Sequence, residues 1–437
     1  MAKSNHRTVQ VVDTLAALAP YTSDTSRSEA ILNTWLVHTT DVDTLSHIME
    51  STHPFGTLSD AFWQTAWQQV QPHAGSEPRL VCQALERLVS VLSQQSQVVD
   101  AMQMLVQILA RSVDEDTDDW AAVEWLEEGS YEMDHDDEDV TAFAIDVLQL
   151  WLTEHAGVLR AVLQMVQSPD TSNWRSVWTT LTVWQACLAA LPVALEPYAP
   201  TVYHGLCQAA TTTTNSHVRV RHQAWQTMAG LLQTYPHVLT DKDGLANAVR
   251  TGLMDANARV TAVVCRVLTS LAALSVEEKI WNQPQLDVLL QGLTQGPLST
   301  NASCRLVVVR GLRAVASLSR SAPLGTFYAP TMSLLLQWSE REASVTGDAL
   351  EAASLVAQSL VEDGALADRV RSDAQALMER LLQVLPPVAE KEPLLSACAR
   401  LACVLEDNYQ PYLPTVLQLL LEKVMAKDEI EFGVGVF

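Results

Sequence analysis

Almost the same phrase occurs three times in this chain: EPYAPTV at Glu196–Val202, TFYAPTM at Thr326–Met332 and QPYLPTV at Gln410–Val416. Its tyrosines, Tyr198, Tyr328 and Tyr412, stand 130 and 84 residues apart, close to three and two units of about 42 to 43 residues. A fixed period of that size belongs to stacked supersecondary units, each burying its apolar face against the next, rather than to one large core.

The chemistry of the phrase favours helices. Proline is tolerated at the start of a helix, where its missing N–H has no partner to lose, and the residue before it (Ala199, Ala329, Leu413) is biased toward extended geometry. Two and six residues past the proline come Val202 and Leu206, Met332 and Leu336, Val416 and Leu420, an i, i+4 apolar pair for one buried face. A second ruler agrees. In HVRVRHQAWQTMAGLLQTY, Val220, Ala224, Met228 and Leu231 line one face, widened by Trp225 and Leu232. Arg259 and Val260 of NARVTAVVCRVLTSLAAL then repeat Arg219 and Val220 one such period later. The expected fold is all-α, a right-handed α-solenoid of HEAT-type antiparallel helix pairs, about nine or ten of them, running from near 7–18 to near 413–425.

One segment breaks this pattern. Val113–Asp139 holds fourteen carboxylates and no Lys or Arg, so it supplies -14 of the chain's net -24. Self-repulsion and low apolar content make it a loop between helices. The expected organisation is HEAT repeats over 1–111, an acidic insertion over 112–140, and the same array resuming over 141–437. Such a run is either a solvated insertion or an electrostatic claw for a basic protein surface. Trp120 and Trp125 among the carboxylates favour the second reading, since aromatic side chains anchor interfaces. Calcium is not expected, because the ligand order and central glycine of an EF-hand are missing.

Other chemistries find little support. There is no GxxxxGK, HExxH or GxSxG, and no histidine pairs with Cys or His at ligand spacing; no enzyme, cofactor or metal is expected. Trp63 and Trp67, at i, i+4, read as core packing rather than as a stacking platform for single-stranded nucleic acid. The arginines Arg219, Arg221, Arg259 and Arg305 begin second helices of pairs and suit hydrogen bonds between repeats. All seven cysteines sit in apolar helical patterns without CxxC spacing, as small buried hydrophobes of a reducing compartment. The net charge opposes direct binding of nucleic acid or anionic membranes, and no apolar run has the roughly 18 residues of a membrane helix. The amino-terminal residues lack a signal peptide's apolar core, which points to the cytoplasm or nucleus. Neither terminal segment has the polar outer face of a capping repeat, so the chain reads as the middle of a longer array.

Three stretches together resemble the karyopherin β (importin β) family, in its importin-five-like branch and over its central portion only. They are RLACVLEDNYQPYLPTVLQLLLEKVMAKDEIE, the pair VRVRHQAWQTMAGL and NARVTAVVCRVLTSLA, and the DEDTDDWAAVEW insertion, in matching order and spacing across residues 60 to 430. The resemblance implies a monomeric nuclear transport receptor that binds basic nuclear cargo, and Ran-GTP, on a concave acidic face and passes nuclear envelope pores on Phe-Gly nucleoporins. The matching partner-binding positions are Asp114, Glu115, Asp116, Asp118 and Asp119, then Asp134, Asp136, Asp137, Glu138 and Asp139, with Trp120 following them; Trp125 joins the expected partner-binding set as an interface anchor. The alternative is a generic HEAT-repeat scaffold for assembling other protein complexes.

Overall fold

A computed structural model describes residues 25–38, 45, 58–89, 95–112, 140–211, 217–278, 281–300, 304–321, 325–341, 344–361, 364–384 and 392–421. Among the described residues every regular element is helical. The helix expected at 7–18 lies outside them. Two compact units divide the chain between Val202 and Tyr203.

The first unit holds α1 (Thr25–His38), α2 (Asp60–Val70), α3 (Pro78–Leu88), α4 (Gln95–Ser112), α5 (Val140–Glu154), α6 (Leu159–Met165) and α7 (Trp174–Ala190). Their starts follow local rules. Ser59 accepts the Phe62 N–H ahead of α2, Asn173 accepts the Arg175 N–H ahead of α7, and Pro78 opens α3 where no N–H is needed. Helices α3, α5 and α7 form a row, with α4 packed on α5 and α7. Two side chains of α5 lock this row: Trp151 Nε1 donates to the Leu85 carbonyl at 2.9 Å, and His155 Nε2 lies 2.8 Å from the Val89 carbonyl. A carbonyl can only accept, so Nε2 is the protonated nitrogen.

The second unit takes up most of α8 (Ala199–Thr211), then α9 (Val218–Thr234), α10 (Lys242–Leu253), α11 (Ala258–Glu278), α12 (Gln283–Gln295), α13 (Arg305–Ser321), α14 (Tyr328–Arg341), α15 (Thr346–Ser359), α16 (Ala367–Val384) and α17 (Glu392–Leu405). A last helix occupies 413–421. Helices α9, α11, α13, α15 and α17 stack side by side as one layer, and α10 and α12 pack together in the other. Gly252 and Gly292 stand one repeat apart at the close approaches of this unit. An added Cβ would fall 2.8 Å from Val264 Cγ2 at the first and 2.9 Å from Leu253 Cδ1 at the second. A side chain at either position would have to displace its neighbour where these helices meet.

Hydrogen bonds between repeats carry the period in three dimensions. Gln285 donates to Asp243 across 42 residues at 2.7 Å, and Trp338 Nε1 donates to the Leu298 carbonyl across 40 at 3.2 Å. Arg380 donates to the Ser339 carbonyl across 41 residues, and the Tyr328 hydroxyl to Asp373 across 45. The face expected of α9 is buried throughout: Val220, Ala224, Trp225, Met228, Leu231 and Leu232 all lie in the core.

The repeated phrase departs from expectation in detail. A 3₁₀ turn precedes the helix in each copy, over Glu196–Tyr198, Gly325–Phe327 and Glu406–Tyr409. The residue before each proline is already helical: Ala199 sits at φ -54, ψ -39, and Ala329 and Leu413 lie within their helices. The prolines are therefore second or third residues of the helix. Any of the first four N–H groups of a helix lacks an intrahelical acceptor, so proline is tolerated there too, and the Ala199 N–H to Glu196 carbonyl bond holds the preceding residue helical. The apolar pairs also differ. Val202 and Leu206 are buried, Met332 is buried with Leu336 half-buried, and Val416 is buried while Leu420 is exposed.

Candidate partner-binding surface

The twelve residues expected to meet a partner, Asp114, Glu115, Asp116, Asp118, Asp119, Trp120, Trp125, Asp134, Asp136, Asp137, Glu138 and Asp139, lie outside the described residues. The helices that flank them in the sequence come close together. Helix α4 ends at Ser112 and α5 begins at Val140, and Thr141 Oγ1 lies 3.5 Å from the Ser112 carbonyl, so the chain leaves and re-enters at one point. The Trp151–Leu85 and His155–Val89 bonds each span 66 residues. Helices α3 and α5 are thus neighbours in one row although residues 113–139 stand between α4 and α5 in the sequence.

In the second unit the charge of the stacked layer is of the opposite sign. Helices α9, α11 and α13 carry eight arginines, Arg219, Arg221, Arg259, Arg266, Arg305, Arg310, Arg313 and Arg320, and their only carboxylates are Glu277 and Glu278 at the far end of α11. Arg221 serves as expected of an inter-repeat residue. Its guanidinium grips Asp255, in the turn before α11, through Nε at 2.7 Å and Nη2 at 3.1 Å. Both side chains are largely buried, and the same carboxylate accepts the Asn257 N–H at 2.9 Å. Arg259 is only 4% exposed, whereas Arg305 is exposed. Farther along, Arg313 pairs with Asp348 at 3.2 Å and Arg320 with Glu351 at 3.3 Å. Arg400 of α17 reaches Glu351 at 3.7 Å and donates to Ser354 Oγ at 3.0 Å.

His222 of α9 lies beneath the arginines. Its imidazole is pushed down from 6.5 to about 3, first by burial and then by the positive charges of Arg266, Arg259 and Arg310. It is therefore a neutral ring at physiological pH. The tryptophans behave as packing residues: Trp63, Trp67, Trp151, Trp178, Trp225, Trp281 and Trp338 are all buried. Of the cysteines, five are buried, Cys207 is half-buried and Cys403 is exposed, which departs from the expectation that all seven lie inside. Burial alone, or chiefly, raises the Cys82, Cys187 and Cys265 thiols to about 12, which keeps them unreactive.

Sequence reasoning assigned the arginines to inter-repeat bonds one by one and missed their accumulation on adjacent helices. The signal was present in the preference for Arg over Lys and in the recurrence of Arg219 at Arg259 one repeat later. What it lacked was the register of α13 against α11.

These features define the class of structure: an α-solenoid of HEAT-type helix pairs with the fold of the karyopherins. No family's sequence profile matches the chain, and no curated protein does. Among solved structures it is similar to Kap121p bound to RanGTP, with a TM-score of 0.76 at 17% identity over 95% of this chain and 42% of that one. It is also similar to Kap121p alone (TM-score 0.64, 19% identity, 86% and 37% covered) and to Kap121p bound to Nup53p (0.62, 18%, 87% and 38%). The chain spans about two fifths of the length of the proteins it matches.

Proposed function

We propose that this chain works as a nuclear transport receptor of the importin type. Basic nuclear cargo binds its acidic insertion, and Ran-GTP and Phe-Gly nucleoporins are further partners. It works by binding, in the cytoplasm, the nucleus and the pores between them. The observation that carries this reading is the likeness to Kap121p bound to RanGTP across 95% of the chain. Support for the cargo site comes from charge: the fourteen carboxylates of 113–139 are held between α4 and α5, which close the insertion's ends on one another. A concentrated negative field of this kind attracts Lys- and Arg-rich segments over a Debye length of roughly 8 Å in physiological salt. Residues 112–140 are then an insertion in an array that continues from 1–111 to 141–437.

The test is a pull-down of Lys-rich nuclear proteins and of Ran loaded with GTP, at low and high salt. Basic partners should bind and be lost as salt rises. Replacing Asp114, Glu115, Asp116, Asp118 and Asp119, then Asp134, Asp136, Asp137, Glu138 and Asp139, by Ser and Asn should release them with little change in thermal stability. Retention of basic partners after both replacements would remove the insertion from the mechanism. Absence of Ran and of any basic partner would favour a scaffold instead.

A further inference from the structure

We draw no further inference here: the strongest candidate, the apolar surface patch that Leu413, Leu417, Leu420 and Leu421 expose along the last helix at 413–421, is an unpartnered helix face, and nothing in the structure shows what covers it.

Discussion

The first and second copies of the repeated phrase begin helices in the same way and end up in different surroundings. Tyr198 is 36% exposed in its 3₁₀ turn, while Tyr328 is 1% exposed and donates its hydroxyl to Asp373 at 2.8 Å. Ten residues on, α8 presents the exposed Gln208, whereas α14 buries Trp338 and ties its indole N–H to the Leu298 carbonyl. The phrase therefore specifies a helix start and a repeat length. It does not specify burial, which depends on what the neighbouring repeat offers: α16 supplies a carboxylate for Tyr328, and burial followed by that bond raises the phenol's pKa.

Substitutions test this contrast, beginning with the largest effect. Trp338→Ala removes a fully packed indole and orphans the Leu298 carbonyl, and should cost about 3–5 kcal/mol, read as a lower urea midpoint. Gln208→Ala, the same place in the first copy, should stay within about 0.5 kcal/mol. Equal costs at the two sites would break the comparison.

Gly252→Ala probes whether close approach in the second unit is as tight as the 2.8 Å distance to Val264 implies. It should destabilise by about 1–3 kcal/mol through overpacking, visible in thermal unfolding.

The buried side of the contrast has a pH signature. The His222 imidazole titrates near 3 in the folded chain against 6.5 when exposed, so below pH of about 6.5 the unfolded chain takes up the proton and the folded chain does not. Stability should fall as pH drops from 7 toward 5, by up to about 1.4 kcal/mol per pH unit from this group. His222→Gln should show a shallower decline; identical slopes would place the ring in contact with water.

The smallest effects fall on the tyrosines. Tyr328→Phe leaves the Asp373 carboxylate without its phenol donor and should cost about 1–2 kcal/mol, while Tyr198→Phe should be near neutral. A matched loss at Tyr198 would mean that the hydroxyl acts within the phrase itself.

Much of the fold was legible because helical solenoids write their period into the chain. The helices expected at 217–234, 257–274 and 366–384 correspond to α9, α11 and α16 to within a few residues. The register was harder to read, since the equivalent residues Val220, Val260, Cys304 and Val345 are unevenly spaced, each interval varying with turn length. The gathering of arginines on the adjacent helices α9, α11 and α13 depends on how those helices stack, and so stayed hidden among residues taken singly. The acidic segment stood out by composition alone, whereas the meeting of its flanking helices emerged only from the Thr141–Ser112 approach and the 66-residue bonds of α5 to α3.

By itself the sequence determined the repeat length, the helical class and the sign and location of the densest charge, because these follow from apolar spacing, proline placement and the count of carboxylates. The tertiary structure alone decided which equivalent residues are buried and which arginines come onto adjacent helices. Burial and charge density are properties of neighbours, and in a stacked array the neighbours of each residue lie a whole repeat away along the chain.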